Sequence, residues 1–460
     1  MHEDAIIPNC DDLGAAMAWG IGMPKEACLA AACHVLAAIA GARGAPSHPP
    51  PHGSLAAGGL VFAGPPHRLR ALVDFLLRPV EDAQGIALAM RETHDPARLA
   101  DFISERGNMT LRGETWAALQ EPAPGSRPPP DRTIMLSRVD GVVRPTMLLR
   151  NPEPSQMEAL LAATLDRSPL IVDERLDFAE ALMRGGRCPI ARGHAAWLAA
   201  ALGGRHEAEG RGKGAAPRMH ASRPSLLATV APQQMRRLLR ADVPELARIL
   251  ECSVVAEVPP TDAGPPGEID VSIATQWLRA PASWKKAVAR ALEVRAKGGP
   301  GVRLTPAGVR LLLELRRRAL DFIDRADPEL APALAWLANL PDRLTWAMAM
   351  IGFDRQHPDQ SERDRRLLLA AADVFKWIAN RHREAVSSAI EDLRANRLEM
   401  DKQRLLRALR RRGPCTWREL RRSFDVQALR DHEPAIELLR HEGVLQIEDG
   451  VFNLKTGAEM

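Results

Sequence analysis

The stretch Pro169-Leu-Ile-Val-Asp-Glu-Arg-Leu-Asp-Phe178 decides how this chain is read. Leu170, Ile171 and Val172 form a short apolar, partly β-branched run, the pattern of a strand buried on both faces. The run ends in two adjacent acids, Asp173 and Glu174. In an open parallel sheet, ligands collect at the carboxyl ends of strands, so both acids are expected to face a site. In phosphoryl-transfer sites of the P-loop type an Asp in this place helps hold Mg²⁺, and the neighbouring acid can polarise the attacking water. Asp173 is therefore a candidate catalytic residue and metal ligand, and Glu174 a candidate catalytic residue. The alternative is a strand end carrying two solvated acids.

Upstream, Gly58-Gly-Leu-Val-Phe-Ala-Gly-Pro-Pro-His-Arg-Leu-Arg-Ala71 predicts a strand, a Gly/Pro turn and an amphipathic helix through about Leu77. Strand, loop, helix is the setting of a phosphate-binding loop. With Gly64 as the first glycine, Leu69 falls on the second, Arg70 on the lysine and Ala71 on the Ser/Thr. Leu69 lacks the freedom that lets backbone N–H groups converge on phosphate, and Ala71 has no hydroxyl for Mg²⁺. Gly64 and Arg70 remain as candidate nucleotide-binding residues of a degenerate site, because Arg70 keeps a cation. ATP and Mg²⁺ are the candidate cofactors of such a site. Downstream, a helix starting near Ser155, a strand Ser225–Val230, a helix to Arg240 and a strand Ser253–Val258 extend the βα alternation and predict an α/β domain.

Composition sets the bounds. The chain has 460 residues, 46% hydrophobic and 26% charged, which is ordinary for a globular protein and long enough for two to four domains. The net charge of +4 is nearly balanced, so any surface for a polyanion must be local. Six cysteines without a CxxC pair argue against a disulfide framework or a zinc site. Met1-His-Glu-Asp is acidic where a secretory leader is basic, and no uncharged apolar run reaches 18 residues. A cytoplasmic protein with no membrane span is expected.

Two segments concentrate positive charge. Residues 203–223 hold five Arg/Lys against two Glu on a Gly-rich backbone, which makes Arg205, Arg211, Lys213 and Arg218 candidate DNA contacts. Residues 402–422 hold nine Arg/Lys against one acid, with Arg410, Arg411, Arg412, Arg418, Arg421 and Arg422 as candidates. The second segment opens a pattern of three helices and a hairpin that reads as a winged helix. Lys402–Arg412 is the first helix, Thr416 with Glu419 offers a capping box for the second, and the third starts near Pro434. A hairpin then turns at Glu448-Asp-Gly450. The Pro/Gly-rich stretch 258–267 marks a domain boundary before an almost wholly helical region. The expected division is an N-terminal helical segment (1–50), an α/β core (51–258), a helical domain (268–398) and a winged helix (400–460).

In this order, and in the stretches "LIVDE", "RPSLLATVAPQQMRRLL" and "ELARIL", the chain resembles the helicase/primase-like domain family of unknown function found in prophages, plasmids and other mobile elements. The resemblance implies a RecA-like P-loop ATPase core, an all-α domain and a C-terminal winged helix, in a DNA-binding replication protein; the degenerate phosphate loop lowers the expectation to weak or no ATP hydrolysis. It implies Walker B acids at Asp173 and Glu174 and a candidate arginine finger at Arg248. Its implied partners are single- or double-stranded DNA, with further copies of the chain or replication proteins. The chain departs from the family at the phosphate loop and at Ala231, where the family often has Gln before the proline. The alternative is a non-enzymatic DNA-binding accessory or regulator that keeps the P-loop fold as a scaffold.

Overall fold

The computed structural model describes residues 10–40, 58–92, 136–139, 142–145, 148–151, 170–174, 202, 225–239, 249, 252–259, 271–297, 304–351, 359–421 and 432–454. The strands of its first part are β1 (Gly58–Ala63), β2 (Leu136–Val139), β3 (Val142–Pro145), β4 (Leu148–Arg150), β5 (Leu170–Asp173), β6 (Ser225–Val230) and β7 (Ser253–Glu257). β2 and β3 form a separate antiparallel pair. The other five make one parallel sheet in the order β4-β5-β6-β1-β7. Every residue of β1, β5 and β6 is buried, as expected of strands covered on both faces. The register brings Ala63 level with Val230 and Glu257, and Asp173 level with Ala228, so the carboxyl ends share one edge of the sheet. β6 lies between the acid-bearing strand β5 and β1.

β1 begins with two glycines for a steric reason. Gly58 has φ +118°, and a Cβ there would fall 2.0 Å from the Trp336 ring; one on Gly59 would fall 2.0 Å from Ser253 Oγ. The far side of β7 is a sheet edge, where an unpaired N–H is a liability. His382 meets it: Nδ1 accepts the Val255 N–H at 3.0 Å, and Nε2 lies 2.9 Å from Ala333 O, which makes it the donor. Burial lowers the His382 pKa, outweighing these two backbone hydrogen bonds.

The helices are α1 (Cys10–Ile21), α2 (Lys25–Ala40), α3 (Pro66–Glu92), α4 (Pro232–Leu239), α5 (Val271–Lys297), α6 (Pro306–Asp324), α7 (Ala331–Leu334), α8 (Leu340–Ile351) and α9 (Gln360–Arg412), with a 3₁₀ turn at Ala335–Asn339. Gly22, at φ +71°, and Pro24 separate α1 from α2. Thr305 caps α6 by accepting the Gly308 N–H at 3.1 Å, with Pro306 at the first helical position. α3 runs on through Pro79 to Glu92, well beyond the expected end near Leu77.

The chain divides into two compact units, Met1–Val386 and Ser387–Met460. One apolar core joins Leu13 and Leu36 of the first helices, Phe62 and Val172 of the sheet, and Trp284, Trp346 and Phe375 of the later helices. α2 explains why: Ala27 through Ala40 are all buried, and a helix apolar all round needs partners on every side. The Pro/Gly stretch after β7 reports local backbone, not what the flanking helices pack against. The expected boundary near residue 400 also falls inside α9, a 53-residue helix with no Gly or Pro to stop it.

The second unit has its own core of Leu405, Leu406, Leu409, Cys415, Leu420, Ile436, Leu439, Leu445 and Phe452. It contains the end of α9, β8 (Cys415–Thr416), α10 (Trp417–Arg421), α11 (Glu433–His441), β9 (Leu445–Glu448) and β10 (Val451–Leu454). The strands form an antiparallel sheet in the order β8-β10-β9. Glu419 reaches back to the Thr416 N–H at 2.8 Å, as the capping pattern predicts. Asp449 and Gly450 have φ of +50° and +76°, the two positive values that a two-residue type I′ hairpin requires.

Candidate functional site

The carboxyl ends of β4, β5 and β6 and the first turns of α3 and α4 surround a cleft of about 700 Å³. Its polar lining comes from Arg70, Asp74, Arg150, Asn151, Glu174, Thr229 and Gln234. The centre of this arrangement is Arg150, the last residue of β4. Its Nε donates to Glu174 Oε1 at 2.7 Å, Nη1 to Glu81 Oε1 at 3.0 Å, and Nη2 to Asp74 Oδ1. One guanidinium thus draws together a strand end and two turns of α3, using the fork geometry that a lysine lacks. Partial burial works against its charge, but the hydrogen bonds it donates to Glu174, then Asp74 and Glu81, raise the Arg150 pKa above its ordinary value.

Asn151 completes the bracket around Glu174. Its Nδ2 donates to Glu174 Oε1 at 3.1 Å, and its Oδ1 accepts the Glu174 backbone N–H at 2.9 Å. Asn151 sits at φ +45°, a left-handed conformation that Asn tolerates better than most residues. Arg150 and Asn151 thus both donate to Oε1 of Glu174, whose side chain is only 14% exposed.

The two acids of the strand end are placed differently. Glu174 lines the cleft, whereas Asp173 is buried, at 4% exposure, and is not part of the lining. Successive residues of an extended chain point to opposite faces, which separates the two side chains. Among the described residues, no three His, Cys, Asp or Glu side chains are grouped to hold a metal ion.

Gly64 and Arg70 both lie at this end of the sheet, without forming a phosphate loop. β1 ends at Ala63 and α3 starts at Pro66, so Gly64-Pro65 is the whole connection. The Gly64 N–H is used by Val230 O at 3.1 Å, and Pro65 and Pro66 have no N–H. The Arg68 and Leu69 N–H groups return to Pro65 O, both at 3.1 Å. A cradle of converging amides is absent from this turn. Arg70 is 74% exposed and lies 3.9 Å from Asp74 on the next turn of the helix. Ala231 lines the cleft beside Thr229, whose Oγ1 donates to Glu174 O at 3.4 Å.

Arg248 lies outside the described residues, as do Arg205, Arg211, Lys213, Arg218 and Arg422. Arg410, Arg411, Arg412 and Arg418 are exposed on the second unit, and Arg421 closes α10. Arg412 Nη1 donates to Glu419 O at 2.9 Å and so ties α9 to α10.

Sequence reasoning missed Arg150, Asn151, Asp74 and Glu81. Leu148-Leu-Arg-Asn151 repeats the form of the decisive stretch, an apolar run ending in two polar residues, but three strand residues are too few to stand out. Asp74 and Glu81 are seven apart and share one face of α3. Nothing local identifies the cation they meet, 69 to 76 residues further along the chain. Compared with known proteins, the chain matches no family model and no curated protein.

Proposed function

We propose that this chain is a DNA-binding protein of the helicase/primase-like type, in which a RecA-like core serves as a scaffold and hydrolyses ATP weakly or not at all. The parallel strand order supports the RecA-like reading, since the strand ending in Asp173 is one removed from the strand that leads into Gly64, with β6 between them. The mobile-element setting rests on the sequence resemblance alone. For the second unit, the succession helix, short strand, two helices and hairpin supports a winged helix. Such units are common DNA-binding modules.

The observation that carries the scaffold reading is the state of the cleft. The acid that would polarise a water, Glu174, is engaged by Arg150 and Asn151. Hydrolysis needs a positioned water and a cradle of donors around the transferred phosphoryl group. The Gly64-Pro65 connection offers no such cradle.

The test is phosphate release by the full chain with MgATP, with and without single-stranded DNA, alongside binding of labelled DNA at low salt. The expected result is salt-dependent DNA binding, with phosphate release no greater than that of an Asp173→Asn, Glu174→Gln double variant. DNA-stimulated turnover lost in that variant would make the protein a working ATPase. No DNA binding by the wild-type chain at low salt would overturn the nucleic-acid reading.

A further inference from the structure

Arg410, Arg411 and Arg412 are consecutive, so on an α-helix they splay by about 100° each and cannot share one face. The residues that do share a face are Leu393, Arg397, Met400, Arg404, Arg407 and Arg411, which follow one another at alternating spacings of four and three. All six are exposed. They run along the side of α9 opposite Leu405, Leu406 and Leu409, which fill the core of the second unit. Arg397 to Arg411 covers fourteen residues, about 21 Å of helix at 1.5 Å per residue.

Charge is segregated around this helix. Glu391, Asp392 and Glu399 fall on other faces, and Glu399 turns to Gln403 and Lys402. Among the described residues, Asp401 is the acid of α9 beside the ridge; it lies 3.8 Å from Arg404 but is 12% exposed and also faces His432. By contrast α11 exposes Glu433 and Glu437 and is followed by exposed Glu442, against Arg440 and His441. Phosphates are repelled there and attracted along α9.

We infer that the Arg397–Arg404–Arg407–Arg411 ridge of α9, rather than α11, is where this protein tracks a nucleic-acid backbone. The inference rests on the DNA-binding reading and names the surface that performs it. The spacing suits a polyanion because long, flexible arginines can each reach a phosphate without fixed geometry, and such contacts position the protein without reading bases. A second copy of the same stripe is disfavoured, since four of its six positions would set like charges against each other.

The test compares the full-length chain with a quadruple variant, Arg397→Gln, Arg404→Gln, Arg407→Gln and Arg411→Gln, in fluorescence anisotropy with labelled single- and double-stranded DNA across a salt series. A control variant changes Arg317, Arg318, Arg365 and Arg366 to Gln, all exposed and paired within their own helices. At about 0.7 to 0.9 per phosphate, loss of the ridge should flatten the slope of log affinity against log salt by about 3 to 4. That amounts to a roughly 50- to 150-fold share of the fall in affinity between 50 and 200 mM salt. Far-UV circular dichroism of the variant should match the wild type, because every altered side chain is exposed. The control should keep the wild-type slope. An unchanged slope in the quadruple variant, while the wild type binds, overturns this inference and leaves the DNA-binding reading standing. Loss of self-association in the quadruple variant with its DNA binding intact assigns the ridge to a second copy and overturns it equally. If the wild type binds no DNA, both readings fall together.

Discussion

Replacing Arg150 by Ala removes the cation that three carboxylates share, and the cost can be worked out bond by bond. The bond to Glu174 is the strongest, since the acid is only 14% exposed and hydrogen bonds to charged groups contribute roughly 1.5–3 kcal/mol. Asp74 and Glu81 are 51% and 41% exposed, so those pairs contribute about 0.5 kcal/mol each. The expected loss is about 3 kcal/mol, read as a shift in urea unfolding followed by tryptophan fluorescence, with Trp284 and Trp346 buried in the same core. Arg150→Lys should fall between, because one ammonium cannot span all three acids. The alanine variant leaves Asp74, Glu81 and Glu174 around an emptied centre, so added salt, which screens their mutual repulsion, should recover part of the loss. A loss below about 1 kcal/mol would show that the cluster is effectively solvated and refute the view that Arg150 organises the cleft.

Other outcomes follow from buried groups. Gly58→Ala sets a Cβ 2.0 Å from Trp336 at φ +118°, so it should cost upwards of about 3 kcal/mol in the same assay, whereas Gly413→Ala, with nothing within 4 Å of its Cβ, should cost only the strain of its positive φ. Burial pushes the Cys33 thiol up to about 12 and the Cys28 thiol higher still, so peptide mass spectrometry after iodoacetamide at pH 8 should find both unmodified until the chain is unfolded. His34 and His382 are buried with pKa values held below the ordinary 6.5. Below pH 6.5 the unfolded chain binds protons that the folded one refuses, so their contribution is complete above pH 6.5 and is lost as pH falls toward the folded values. Stability should drop by up to about 1.4 kcal/mol per pH unit for each, and His382→Asn should reduce that slope.

Whatever depends on local pattern was legible in the sequence. The apolar runs 170–172, 225–230 and 253–257 are strands because a strand covered on both faces must be apolar throughout. Pro24, Thr305-Pro306 and Asp449-Gly450 act on their own backbone, so they stop, start and turn the chain where their chemistry predicts. The failure of the phosphate loop was visible too, since Leu69 and Ala71 cannot take the roles required. Asp173 and Glu174 are legible as a strand end, while which of them lines the cleft depends on what packs beside β5. What only the tertiary structure decided is which distant groups meet. Arg150 finds Asp74 and Glu81 across 69 to 76 residues, and His382 reaches Val255 across 127. The single core of the first unit has the same origin. Burial is settled by what packs on each face of a helix, and a Pro/Gly stretch or an Ala-rich run carries no record of its partner. Even the arginine ridge needed the structure: the residues were countable, but their common face depended on α9 continuing unbroken through the expected boundary near residue 400. Helical period converts sequence spacing into geometry only once the helix is known to be one piece.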